Sequence, residues 1–417
     1  MRARLLAAGI ALALAGAGAA AAQQPPAEPG FTAGKEGFSW MSADGDFALR
    51  LRGYFQLDGR FFSNETPSGV DTFLVRRARP IFEGTVFKIF DFRLMPDFGQ
   101  GTTVLFDGYV EARFSPALKL RAGKFKPPVG FERLQSATDL MFPERAQPTN
   151  LVPNRDVGVQ LTGDLADARV QYAVGVFNGV VDGGNGDADN NDAKDVAGRL
   201  FFQPFVKAKN AASGLAFGIA GSTGDQAGTV SAPNLPSFRT GGQATFFSYR
   251  SDGSAAGTTI ADGTRRRISP QATFYLGPFG LLTEYVSSKQ EVRRGTDTAE
   301  LTNTAWQLAT SWVIGGTNSF RGVTPKKPFS GIGTGAGAFE LALRYSRLEV
   351  DRDAFPVFAN PASAARTARA WGFGLHWWAN RNVRLMTSYE WTQFDGGAAS
   401  GGRRDERVLI TRFQIAF

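Results

Sequence analysis

The chain has 417 residues, no cysteine and a single histidine, His376, which excludes a disulfide framework, thiolate metal ligands and a cysteine nucleophile, and leaves little for zinc or triad chemistry. Its formal charge is +8, from 46 Lys+Arg against 38 Asp+Glu, and becomes +6 once Arg2 and Arg4 leave with an exported leader. Export argues against nucleic acid as the partner of a basic chain, so the position of the charge carries the information.

The amino terminus has Arg2 and Arg4, an apolar core from Leu5 to about Gly18, and small residues Ala20 and Ala22. This pattern predicts a signal peptide over 1–22. Residues 23–45, rich in Pro, Ala, Gly and Glu at their start, are expected to form a flexible segment. No later run approaches the roughly 18 apolar residues of a spanning helix.

From 46 to 417 the hydropathy repeats every second residue, with turn signals between the runs. The predicted strands are 46–62, 72–86, 91–98, 104–114, 118–125, 155–163, 168–178, 195–205, 214–223, 265–276, 280–289, 301–314, 339–348, 369–378, 383–394 and 406–417, about sixteen, an even number as a bacterial barrel requires. Short connections such as KIFD, SPA, GPFG and ANRN fall on one side. Long polar ones fall on the other, and 315–338 is a long connection on the short-turn side. The last strand alternates Leu409, Thr411, Phe413, Ile415 and Phe417 with Val408, Ile410, Arg412, Gln414 and Ala416, and resembles the closing strand of bacterial outer-membrane barrels. A soluble sandwich also alternates. The leader, the terminal Phe417 and aromatics near strand ends favour the membrane barrel.

Parity then assigns faces. With Phe47, Leu49, Leu51, Phe55 and Leu57 toward lipid, Arg50, Arg52, Tyr54, Gln56, Asp58 and Arg60 point inward. The next strand turns Arg77, Arg79, Glu83 and Thr85 inward with Arg76 near the rim. Asp107, Tyr109, Glu111 and Arg113 follow on the fourth strand, and Arg265, Arg267 and Arg344 on later ones. Arginine on a lipid face costs about 2–4 kcal/mol at the midplane, so the inward register is strongly preferred. The segment 126–154 is broken by Pro127, Pro128, Pro143, Pro148 and Pro153 yet carries Val129, Phe131, Leu134, Leu140, Met141 and Phe142, too apolar for a solvated tip. Lys124, at its threshold, and Lys126, Arg133 and Arg145 within it are expected to bring positive charge into whatever encloses it. Basic rings in a pore attract anions, and the planar guanidinium suits phosphate oxygens. The competing reading is that these arginines pair with Asp58, Glu83, Asp107 or Glu111 and stiffen the wall.

The stretches FLVRRARPIFEGTVFK (73–88), LKLRAGKFKPPVGFERLQS (118–136), FPERAQPTNLVPNRDVGVQLTG (142–163), GPFGLLTEY (277–285) and ELALRYSRL (340–348), with the last strand, resemble the phosphate-selective porins O and P of Gram-negative outer membranes. The resemblance implies a homotrimer of 16-stranded antiparallel barrels, with the loop after strand five folded inward as the constriction and an arginine ladder leading to a central basic site. It places ladder arginines at Arg76 and Arg77, the acidic residue facing the central site at Asp107, the central loop cation at Arg133, where characterised members have lysine, and a further loop arginine at Arg145. Tyr54 stands where a strand-one ladder arginine is expected, and the fifth outer loop, 224–264, carries only Arg239 and Arg250.

The expected protein is a passive outer-membrane channel for inorganic anions, phosphate or polyphosphate, embedded in outer-membrane lipid. It is expected to have no cofactor, metal, nucleic-acid partner or enzymatic activity. Its pore-lining set is Arg50, Arg52, Arg60, Arg76, Arg77, Arg79, Asp107, Lys124, Lys126, Arg133 and Arg145. A general diffusion channel of the same fold, or a non-conducting barrel serving as an adhesin or envelope anchor, are the alternatives. His376 reads as a hydrogen-bonding wall residue, and Asp187, Asp189 and Asn191 as a solvated loop without the glycine and distal glutamate of a calcium site.

Overall fold

In the computed structural model, residues 30–34, 36–63, 69–189 and 191–417 are described; the expected leader lies outside them. Sixteen antiparallel strands close into one barrel: β1 (Phe47–Phe62), β2 (Thr72–Val86), β3 (Phe90–Asp97), β4 (Val104–Ser115), β5 (Leu118–Phe125), β6 (Asp156–Leu165), β7 (Val170–Phe177), β8 (Asp195–Phe202), β9 (Leu215–Ala227), β10 (Ile260–Leu276), β11 (Phe279–Arg294), β12 (Asp297–Ile314), β13 (Ala338–Glu349), β14 (Ala365–Trp378), β15 (Val383–Ala398) and β16 (Glu406–Ala416). β16 closes the ring on β1, with Val408 opposite Phe62 and Ala416 opposite Tyr54. Closure pairs every strand on both edges, the condition for spanning lipid without unsatisfied backbone groups.

The alternation sorts the two faces as parity requires. On β13, Phe339, Leu341 and Leu343 are exposed on the outside, while Glu340, Arg344 and Ser346 are buried. Two irregularities enrich the inner face. Between Gln56 and Leu57 the register on β2 jumps from Arg77 to Val75, and between Met95 and Pro96 the register on β4 jumps from Asp107 to Leu105. The extra residues are Arg76 and Phe106. A bulge inserts one residue and re-aims its side chain, so Arg76 joins Arg77, and Phe106 joins Asp107, on one side of the sheet.

Three sequence expectations are corrected. Residues 290–300, assigned to a connection, complete β11 and β12, which meet with Arg294 opposite Asp297. Gly295, at φ +59°, supplies the positive φ that a two-residue hairpin turn needs there. Within 23–45, residues Gly30–Gly34 and Gly37–Met41 form a hairpin rather than a flexible tail. Its second strand pairs with β1, Phe38 opposite Leu51 and Trp40 opposite Leu49, and continues the wall beside the end of β16. Phe38 lies 6.0 Å from the Phe417 ring, so aromatic packing overrides the polar composition. The third correction concerns Lys124. It is buried, and its ammonium pairs with Asp187 of the 178–194 loop and lies outside the barrel's basic cavity.

Between β5 and β6, segment 126–155 contains one helical turn, Phe131–Leu134, and a 3-10 turn, Gln147–Leu151. Its backbone groups find their partners on the barrel strands. Phe131 N and Glu132 N donate to Glu284 Oε2 of β11 at 2.6 and 2.9 Å. Carbonyls of Ala137, Leu140 and Glu144 accept from Gln56 of β1, Arg384 of β15 and Arg344 of β13 at 3.0, 2.9 and 2.8 Å. The Pro143 carbonyl accepts from Arg412 of β16. Prolines deny the segment a ladder of its own, and side chains from four strands satisfy those carbonyls in its place. Its apolar residues Val129, Leu151 and Val152 join a cluster with Phe238, Phe246 and Phe247 of the 228–259 loop and Phe358 of the 350–364 loop.

Candidate pore-lining site

A cavity of about 770 Å³ runs between segment 126–155 and strands β1–β8 toward the short-turn end of the barrel. Eleven Lys and Arg side chains line it against four Asp and Glu. Two groups of these basic residues differ in what holds them; Arg199, Arg321 and Arg381 also line the cavity, and none of these three forms an ion pair among the described residues.

The first group is paired with carboxylates. Arg155 Nε donates to Asp107 Oδ1 at 3.1 Å, and Arg93 Nε sits 3.2 Å from Asp107 Oδ2. Arg79 meets Asp97 at 2.7 Å and donates to the Tyr54 hydroxyl at 2.7 Å. Tyr54 therefore orients an arginine from the position where the resemblance leads one to expect an arginine. The bulged Phe106 ring lies 3.9 Å from the Arg79 guanidinium and 4.7 Å from that of Arg155, holding both by cation–π contact. Arg52 meets Glu83 at 3.1 Å, and Arg121 meets Glu111 at 2.7 Å.

The second group is held by neutral oxygens. Lys126 Nζ donates to the carbonyls of Leu134 and Gln135 at 3.2 and 2.9 Å. Arg145 donates to the carbonyls of Glu132 and Gln135 at 3.0 and 2.7 Å. Both line the cavity, and neither forms an ion pair among the described residues. Burial, and then repulsion from Arg155 and Arg145, pushes the Lys126 ammonium well below the ordinary lysine range. A crowded group of cations lowers its energy by admitting an anion.

The residues expected to line the pore separate into distinct places. Arg52, Arg79, Asp107, Lys126 and Arg145 line the cavity. Arg50 is exposed, opposite Glu83 in the register. Arg60, Arg76 and Arg77 instead converge on Glu144 of the segment, at 3.2, 2.6 and 3.4 Å. Arg133 does not line the cavity: it donates to the Thr149 carbonyl at 2.6 Å and to Asn154 at 3.1 Å, tying the start of the segment to its end.

Arg93, Arg121, Arg155, Arg199 and Glu144 were not among the candidates. Arg93 was legible, since it alternates with Phe92 and Leu94, and so was Arg199, between Val196 and Leu200. Glu144 lies where no period exists, so nothing local marks it.

A family model, phosphate-selective porin O and P, matches residues 48–417. No curated protein sequence matches the chain. Among solved structures, the outer membrane channel DcaP of Acinetobacter baumannii superposes with a TM-score of 0.57 at 10% identity, over 94% of this chain and 100% of that one. OmpT of Vibrio cholerae, expressed in the outer membrane, gives 0.54 at 11% identity over 89% and 98%. At such identity these neighbours speak for the fold alone, whereas the family match extends from the first strand of the barrel to the last. On that match, the chain belongs to the phosphate-selective porins O and P, and it is an outer-membrane channel of the Gram-negative envelope.

Proposed function

We propose that this channel conducts anions passively, phosphate among them, and that segment 126–155 forms its constriction. One observation carries the reading: Lys126 and Arg145 line the cavity with no carboxylate partner among the described residues, beside arginines already neutralised by Asp107 and Asp97. Cations held only by carbonyl dipoles keep most of their field for a permeant ion. Asp107 moderates that field, so an anion that enters also leaves. The channel in a planar bilayer under a salt gradient is expected to give a reversal potential of anion sign, and phosphate is expected to reduce the chloride current. A cation-selective potential rules the reading out. Engagement of Arg60, Arg76 and Arg77 by Glu144 favours a second reading, a general anion pore, which predicts chloride current indifferent to phosphate.

We further infer that the channel assembles as a homotrimer through β3–β8. Four of these six strands, β3, β5, β7 and β8, are eight residues long, and none of the other ten is shorter than eleven. Eight residues tilted at 45° rise about 19 Å, short of the roughly 25 Å apolar band of such barrels. Exposed large side chains on β3–β8 are Val, Leu and Phe, whereas β11–β15 present Tyr285, Trp306, Trp312, Trp371 and Tyr389, the residues that settle at headgroups. A low wall without such a belt fits another barrel better than lipid. The cysteine-free chain permits single cysteines at Val110 or Val174 and, for contrast, at Leu341 or Leu375. A short bismaleimide in outer-membrane vesicles is expected to cross-link copies through the first pair. Cross-linking confined to Leu341→Cys or Leu375→Cys would place the contact elsewhere.

A further inference from the structure

Four guanidinium groups converge on one carboxylate at the tip of segment 126–155. Glu144 Oε1 accepts from Arg76 Nε at 2.6 Å, Arg412 Nη2 at 2.8 Å and Arg60 Nη2 at 3.2 Å. Its Oε2 accepts from Arg76 Nη2 at 3.0 Å and Arg77 Nη2 at 3.4 Å. Arg76 thus presents both nitrogens of its fork, the geometry by which arginine takes carboxylate or phosphate. Asp58 is the other carboxylate paired with this group, through Arg60 and Arg412, so four positive charges face two negative ones. A staple needs one partner per charge. Several convergent forks around one group make an oxyanion receptor.

We propose that Arg60, Arg76, Arg77 and Arg412 form an oxyanion-binding site occupied by the chain's own Glu144, which keeps small phosphate-type oxyanions out of it. This rests on the anion-channel reading above and adds a second site to the pore, distinct from Lys126 and Arg145. The Glu144 side chain competes for the arginines, but its backbone has an anchor outside them: the Glu144 carbonyl accepts from Arg344. Neutralising the carboxylate therefore weakens its hold on the arginines while the tip of the segment stays anchored through Arg344. Arg76, the least buried of the four side chains, gives the approach. Burial pushes the Glu144 carboxyl up, and Arg76, Arg77 and Arg412 more than reverse this, holding it well below the ordinary carboxylate range and so ionised at neutral pH.

The test is block of chloride current by inorganic phosphate in planar bilayers. Glu144→Gln is expected to lower the half-blocking phosphate concentration about tenfold, the scale of one charge-assisted forked pair. Adding Arg76→Gln to that variant is expected to remove the gain. The assignment is overturned if Glu144→Gln channels block as the wild type does, or if the gain survives the loss of Arg76. Glu144→Asp, which keeps the charge but withdraws it by one methylene, is expected to give a smaller fall of about threefold, and no change there also overturns the assignment. A wild-type channel without anion preference refutes the channel reading instead; an anion-selective wild type with unaltered block in both variants refutes only the role of Glu144.

Discussion

Replacing both Lys126 and Arg145 with glutamine is expected to move the permeability ratio of chloride to potassium toward unity and to weaken phosphate block. The argument rests on which charges remain uncompensated. Arg155 and Arg93 share Asp107, and Arg79 has Asp97. An anion near those pairs meets arginine and carboxylate together, and their fields largely cancel. Lys126 and Arg145 are held by carbonyls of residues 132–135, so no carboxylate beside them cancels their charge. At an effective dielectric of about 20, a unit charge at roughly 4 Å contributes about 4 kcal/mol, and even a fraction of that from each cation amounts to a tenfold or larger preference for anions. Reversal potentials of the double variant in a potassium chloride gradient decide the matter, and retained anion selectivity would move the filter elsewhere. Arg133→Gln, measured alongside, separates this assignment from the one the resemblance supplies. Arg133 holds Thr149 and Asn154 and acts through the placement of the segment.

The contrast between Arg133 and Lys126 shows what could be read from the sequence and what could not. Along the strands the period of two is enforced by lipid on one side and water on the other, so Arg52, Arg77, Arg79 and Asp107 are found on the inner face where alternation puts them. The sixteen strands follow from the same constraint. Alternation fails where the backbone departs from it. The bulges at Arg76 and Phe106 place two neighbours on one side, which no rule of odd and even anticipates. In segment 126–155 there is no period, and side-chain direction follows from prolines, one helical turn and bonds to distant strands. Motif position alone could not tell that Arg133 ties the segment to itself while Lys126 faces the cavity. Glu144 was missed for the same reason, although it engages three arginines that the sequence does mark: Arg60, Arg76 and Arg77.

Arg412→Leu is expected to destabilise the barrel by about 3–5 kcal/mol, the cost of removing one partner from a buried ion pair and leaving the other uncompensated. Arg412 is fully buried on the closing strand β16 and joins three parts of the chain. It meets Asp58 of β1 through Nε at 2.6 Å and Nη2 at 2.7 Å, Glu144 at 2.8 Å, and the Pro143 carbonyl. Leucine fills much of the volume but leaves Asp58 with Arg60 alone, which it shares with Glu144, while Glu144 keeps Arg76 and Arg77. Urea titration of the lipid-reconstituted channel measures the loss, and Asp58→Leu on the same background is expected to restore part of it, because the stranded charge goes too; a wild-type midpoint in the single variant would show that the cluster adds nothing to stability. Acid adds a second reading with a definite sign. The folded-state pKa of Glu144 lies below its unfolded value of about 4.3, so its contribution is complete above that pH and is lost as pH falls through the lower folded value. With Arg412 gone, one of the cations that depresses the carboxyl is missing, and the folded value rises. The variant is therefore expected to begin losing stability at a higher pH than the wild type, and an identical acid limb in the two proteins would mean that Arg412 serves Asp58 alone.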